Sequence, residues 1–218
     1  MRRPPLYTLL ERIGFRPFAK RLYRIELSGA ERIPAEGGVI LVANHESLID
    51  PWLLALATPR PVRYMAKAEL WRYPVVRTVM DRFGTFPVER GSGDRGAVGR
   101  AAELVAEGQV IGMFPQGTCL PYRSRRWLRG AARLALATGA PVVPVCIVGS
   151  ERALRPGKPR IGFPRIRILV GEPIAVERAK PTVARSRELT DRLEQAVEEL
   201  RAPYGPPAHA WFPEERAA

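Results

Sequence analysis

The 218-residue chain has only two cysteines, Cys119 and Cys146, and two histidines, His45 and His209. Two thiols cannot make a disulfide framework, and the pair fits a reducing compartment. Neither cysteine lies near a histidine in sequence, so no metal-ligand spacing is present. Long apolar runs are lacking too. A membrane-crossing helix needs about 20 consecutive apolar residues, whereas the longest uncharged stretch, residues 134–150, is interrupted by Gly139, Pro141, Pro144 and Gly149. After the opening Met-Arg-Arg-Pro-Pro, the charges Glu11, Arg12 and Arg16 break the apolar segment that a secretory signal requires, and a cytoplasmic protein is expected. Repeats and low-complexity tracts are absent, because the 22 prolines are spread along the chain.

Apolar residues make up 46% of the chain, ample for one packed α/β domain. The charge is one-sided: 35 Lys+Arg against 22 Asp+Glu give +13. Residues 182–218 carry 5 Arg and 7 acidic residues, so residues 1–181 hold +15. An acidic partner follows, either nucleic acid or an anionic membrane surface. No recognition-helix motif, RNA-binding aromatic pattern or zinc spacing supports nucleic acid.

Residues 5–22 place Leu6, Leu9, Leu10 and Ile13 at helical spacing, resumed by Phe18 and Leu22 after Pro17, with Arg12, Arg16, Lys20 and Arg21 opposite. A basic face and a Leu/Phe face suit a helix lying in a membrane interface, and equally an amphipathic helix docked on a core. Strands are expected at 24–27, 39–43, 62–65, 110–114, 142–148 and 166–170, the second buried on both faces. Asp50-Pro51 reads as a helix N-cap with Pro at the first helical position, opening a helix over 52–57. Further helices are expected over 94–107, 127–138 and 185–201, followed by a loosely docked Pro-rich tail over 202–218. Strands alternating with helices argue for an α/β sheet with parallel pairs.

Chemistry falls to His45, which follows the buried strand directly, at the end where open α/β sheets place ligand sites. Asp50, five residues on, can face it across the turn and hold one imidazole nitrogen while the other accepts a proton. Asp50 can equally be a simple cap and His45 a loop residue. A second segment, Gly84-Thr-Phe-Pro-Val-Glu-Arg90, delivers a guanidinium suited to phosphate, or is a turn with a surface arginine. A third, Phe114-Pro-Gln-Gly-Thr-Cys119, follows a strand, and Gly117 permits a tight turn whose backbone N–H groups can face an anion. The fourth is Val142-Val-Pro-Val145.

The order of these segments, Asn44-His45 through Asp50, Gly84-x-Phe-Pro-Val-x-Arg90, Phe114-Pro-x-Gly-Thr118 and Val143-Pro-Val, resembles the ordered blocks of the glycerolipid acyltransferase family. More closely it is similar to the bacterial PlsC-type 1-acylglycerol-3-phosphate acyltransferases, over residues 27–173. The resemblance implies a single α/β domain with a mixed, largely parallel sheet flanked by helices, spanning residues 23–181 between an interfacial N-terminal helix (1–22) and a C-terminal helix and tail (182–218). It implies His45 as general base and Asp50 as its orienting partner, acting on the sn-2 hydroxyl of lysophosphatidic acid, with acyl-CoA or acyl carrier protein as donor and no acyl-enzyme. It further implies Arg90 as the phosphate ligand, a pocket drawn from Gly84, Phe86, Gln116, Gly117 and Thr118, and Lys67 as an added basic residue. No bound cofactor or metal is implied, and the expected location is the cytoplasmic face of the cell membrane. The third block departs from the family's Phe-Pro-Glu-Gly-Thr-Arg-Ser: Gln116 stands for Glu and Cys119 for Arg. One of Arg123, Arg125, Arg126 and Arg129 is expected to supply the missing cation. Another lysophospholipid, a glycolipid or an aminolipid as acceptor, and a catalytically weak lipid-binding relative, are the alternative readings.

Overall fold

The structure, a computed structural model, describes residues 4–88, 95–119, 126–154 and 161–206, apart from the side chains of Glu11 and Arg95. Its seven strands are β1 (Glu26–Ser28), β2 (Val39–Ala43), β3 (Val62–Lys67), β4 (Phe86–Val88), β5 (Val110–Met113), β6 (Val142–Val148) and β7 (Arg167–Val170). They form one sheet in the order β1-β7-β6-β2-β5-β3-β4. Every pair is parallel except β6 with β7, so the sheet is mixed and largely parallel, as expected.

β2 lies between β5 and β6, and all five of its residues are buried. Its alternation feeds two cores. Val39, Leu41 and Ala43 join Leu53, Leu54 and Ile147 on one face, and Ile40 and Val42 join Leu104, Leu134 and Leu193 on the other. Burial of each Val, Leu or Ile contributes about 1.5–3 kcal/mol, so the strand that carries His45 at its end is among the best-anchored parts of the chain.

The helices are α1 (Pro5–Arg12), α2 (Phe15–Leu22), α3 (Asp50–Ala55), α4 (Pro74–Phe83), α5 (Arg95–Ala106), α6 (Gly130–Thr138) and α7 (Val183–Arg201). The apolar period over 5–22 is divided between α1 and α2, because Gly14 takes φ 68° between them. Both readings of that segment find a face. Tyr7 exchanges hydrogen bonds with Val62, its hydroxyl donating to the carbonyl at 2.9 Å and accepting from the N–H at 3.1 Å, and Ala19 joins the core. Leu9, Ile13, Phe18 and Leu22 are exposed, as are Arg12, Lys20 and Arg21. Arg16 is committed internally, its Nη2 donating to the carbonyls of Leu56 and Thr58 at 2.8 and 2.7 Å just past α3.

α4 is absent from the sequence expectation. Pro74 opens it, Gly84 closes it at φ 70°, and Val76, Val79, Met80 and Phe83 recur at helical spacing between them, although none of its residues is buried. α7 is part of the domain, with Leu189, Leu193 and Val197 buried in the second core. The tail beyond residue 206 lies outside the described residues.

Candidate active site

At the end of β2 the chain turns sharply, and three fasteners hold the turn. The Asn44 amide donates to the Ile147 carbonyl at 2.8 Å and accepts from the Ile147 N–H at 2.7 Å, locking the strand end to β6. The His45 backbone N–H donates to Gln116 Oε1, which ties β2 to the loop after β5. Asp50, fully buried, accepts from the Glu46 and Ser47 N–H groups at 2.6 and 2.7 Å through Oδ2. Ile49 occupies the cap position of α3, so Asp50 is the first helical residue and its carboxylate reaches back over the turn rather than forward.

The same Oδ2 lies 3.0 Å from His45 Nδ1. A carboxylate oxygen there accepts a hydrogen bond from the Nδ1–H, which leaves the lone pair on Nε2. Phe114 stacks on the imidazole with centroids 4.4 Å apart, and Tyr64 stacks behind it at 6.2 Å. The Tyr64 hydroxyl donates to the Pro51 carbonyl at 2.6 Å, so the ring stack and the turn brace each other. Burial holds the Tyr64 hydroxyl well above its ordinary pKa, which keeps it a donor.

His45 opens on a cavity of about 420 Å³. Thr118, Cys119 and Lys67 join it in the wall, together with an apolar set that includes Tyr7, Trp52, Leu70, Val79, Met80 and Phe83. α4, unforeseen in sequence, thus supplies much of the apolar wall. Lys67 ends β3 with its side chain exposed. Gly117 takes φ 76°, and its N–H closes a turn on the Phe114 carbonyl at 2.9 Å, so that donor serves the loop and not an anion. Gly84 caps α4 and Phe86 packs beside the second core, flanking Thr85, which is in the cavity wall.

Arg90, Arg123 and Arg125 lie outside the described residues. Arg126 and Arg129 are exposed and absent from the cavity wall, and the charge of Arg126 acts on Glu194 of α7. The one bond that Gln116 shows to the turn needs only an acceptor, and an amide oxygen provides it as a carboxylate would.

Behind the turn lies an ion pair that sequence reasoning missed. Arg201, at the end of α7, donates through Nη2 to Glu46 Oε1 at 2.6 Å and to the Ile147 carbonyl at 3.1 Å. Both side chains are almost fully buried. Burial, with the Asp50 and Glu151 carboxylates nearby, pushes the Glu46 carboxyl from 4.5 up to about 7 against the pull of Arg201. Nothing local marks Arg201, which ends a polar helix 155 residues away from Glu46.

A buried carboxylate orienting a strand-end histidine, above an apolar cavity at the carboxyl end of a parallel sheet, defines an α/β enzyme built for acid–base chemistry on an apolar substrate. The chain belongs to the acyltransferase family, whose model matches residues 24–148, and it is an acyltransferase. It is 27% identical over 183 residues to the 1-acyl-sn-glycerol-3-phosphate acyltransferase of Bacillus subtilis, covering 81% of this chain and 87% of that one. It is 32% identical over 131 residues to the enzyme of the same name from Borreliella burgdorferi, covering 59% of this chain and 52% of that one. The crystal structure of the 1-acyl-sn-glycerophosphate (LPA) acyltransferase PlsC from Thermotoga maritima superposes with a TM-score of 0.65 at 26% identity, covering 87% of this chain and 79% of that one.

Proposed function

We propose that the protein transfers a fatty acyl group from acyl-CoA or acyl carrier protein to the sn-2 hydroxyl of 1-acylglycerol 3-phosphate, forming phosphatidic acid in phospholipid synthesis. The observation that carries this is His45 Nδ1 held 3.0 Å from the buried Asp50, with the ring opening on an apolar cavity. His45 Nε2 takes the proton of the acceptor hydroxyl as its oxygen attacks the acyl thioester, and the departing thiolate receives that proton. Asp50 holds the ring and balances the imidazolium charge. The names of the relatives support the acceptor. The test is an acceptor panel with thiol release followed: lysophosphatidic acid should react well above glycerol 3-phosphate and neutral lysolipids, and faster reaction of a neutral lysolipid would replace the acceptor.

Arg90 is assigned to the acceptor phosphate, with Lys67 in the cavity wall as a second cation. Arg90→Ala is expected to raise the KM for the phosphorylated acceptor while leaving the acyl-donor KM nearly unchanged, and equal effects on both would point to a structural role.

No described helix is long and apolar enough to cross a membrane. The exposed Leu9, Ile13 and Phe18, flanked by Arg12, Lys20 and Arg21, form the face through which α1 and α2 meet an anionic membrane surface, here assigned to its cytoplasmic side. Deleting 1–22 would also remove Tyr7 from the cavity wall. Surface substitutions therefore test this face more cleanly. Replacing Leu9, Ile13 and Phe18 together by Asp should abolish sedimentation with anionic vesicles while the circular dichroism stays unchanged, and undiminished sedimentation would refute the contact.

A further inference from the structure

The imidazole of His45 has a front and a back. In front, at the cavity, Cys119 Sγ lies 3.0 Å from Nε2. Behind it, the two residues that flank His45 in sequence, Asn44 and Glu46, converge on one carbonyl of β6. Asn44 Nδ2 donates to the Ile147 oxygen at 2.8 Å, while Arg201 Nη2 donates to that oxygen at 3.1 Å and to Glu46 Oε1 at 2.6 Å. A carbonyl oxygen has two lone pairs and can serve both donors. Glu46 is thereby tied at both ends, its side chain to Arg201 and its N–H to Asp50 Oδ2, the oxygen that also faces His45 Nδ1.

Stability does not account for this pair. A buried ion pair exchanged for apolar residues of similar volume often leaves stability unchanged or raises it, because the attraction barely repays the lost hydration. Glu46 and Arg201 are 2% and 3% exposed, so that loss is nearly complete. What the pair supplies, and two apolar chains would not, is direction: short charged hydrogen bonds aim one peptide group at Asp50. α7 is a firm base for it, since Leu189, Leu193 and Val197 are buried in the second core. Neither Glu46 nor Arg201 is in the wall of the His45 cavity.

We propose that Arg201 and Glu46 are positioning residues, which hold the Glu46 N–H on Asp50 and so keep the Asp50 carboxylate and the His45 ring aligned for proton transfer. The inference rests on the acyl-transfer reading of the site and extends its machinery to a helix 155 residues further along the chain. Without the pair, Asp50 keeps its bond to the Ser47 N–H, but the peptide that carries His45 gains freedom. A catalytic group misplaced by about 1 Å loses on the order of 10²-fold in rate. Substrate binding is left alone, so the signature is a lower kcat with unchanged KM for both substrates.

The test compares three variants of the full-length protein. Glu46→Gln keeps an acceptor for Arg201, Glu46→Met removes it, and Glu46→Met with Arg201→Met removes both charges so that neither is stranded. Thiol release is followed with palmitoyl-CoA and lysophosphatidic acid, and urea unfolding reports the fold. The His45 Nδ1–H proton resonance, assigned by its loss in His45→Ala, reports the bond to Asp50 without any substrate. Glu46→Gln should keep a kcat close to wild type. The double variant should unfold at the wild-type urea midpoint or above, yet lose about 10–100-fold in kcat, with both KM values unchanged and the resonance broadened or missing. Glu46→Met should lose as much wherever it folds. A folded double variant with wild-type kcat, a raised KM or an intact resonance overturns the proposal and leaves the acyl-transfer reading standing. An equal kcat loss in Glu46→Gln overturns it too, since the bond to Arg201 would then not matter, and a double variant that cannot fold assigns the pair to stability instead. Absence of thiol release from the wild type overturns the acyl-transfer reading, and the resonance then judges the positioning on its own.

Discussion

His45→Ala lowers kcat by about 10²–10⁴-fold, the range for loss of a positioned general base, and leaves the fold intact. The expectation rests on how little else the ring does. Its backbone N–H is held by Gln116 and the turn is held by Asp50 through two main-chain donors, so neither fastener depends on the imidazole. The loss corresponds to about 3–5 kcal/mol of barrier. Asp50 is a poorer probe of mechanism, because removing it also unties Glu46 and Ser47. Stopped-flow thiol release with His45→Ala decides the matter: more than half of the wild-type rate would remove His45 from the chemistry.

Arg201→Met is expected to cost about 3–5 kcal/mol of folding stability near pH 8, since it strands a buried carboxylate. The cost should be smaller at pH 5, and the sign follows from Glu46. Its folded carboxyl titrates near 7, above the ordinary 4.5, so between those values the folded protein holds a proton that the unfolded chain has released. Stability from this group therefore falls as pH rises through that window. Losing the arginine removes the attraction that opposes the rise and exaggerates the fall, whereas at pH 5 the stranded carboxyl is protonated. Urea unfolding of wild type and variant at both pH values reads the difference, and an equal loss at pH 5 and pH 8 would show that packing around the guanidinium matters and its charge does not.

The contrast between these residues shows what the sequence made legible. His45, Asp50 and Gln116 stand within short segments whose turns are local, and β2 announces itself as five apolar residues, so the sheet centre and the site's position could be read in advance. The detail inside the turn could not. Asp50 was legible both as a helix cap and as a partner facing His45; tertiary contacts place Ile49 at the cap and turn the carboxylate backward toward the ring. α4 was marked by Pro74, Gly84 and the helical spacing of Val76, Val79, Met80 and Phe83, but that Val79, Met80 and Phe83 line a cavity rather than a core has no linear signal. Phe114, Tyr64 and Asn44 act through stacking and cross-strand bonds, which have no linear spacing. Cys119 was read only as an arginine lost, and its distance to the imidazole exists only in the folded chain.

The Glu46–Arg201 pair also sets an order in time. The loop that carries His45 leaves the ribosome 155 residues before the arginine that braces it. At about 5–20 residues per second, that interval lasts roughly 8–30 s. Through it β2 can pair with β5 and β6, while Glu46 is without its counter-charge. The loop is therefore made long before its brace, and the brace closes only when α7 packs Leu193 and Val197 into the second core of the same sheet.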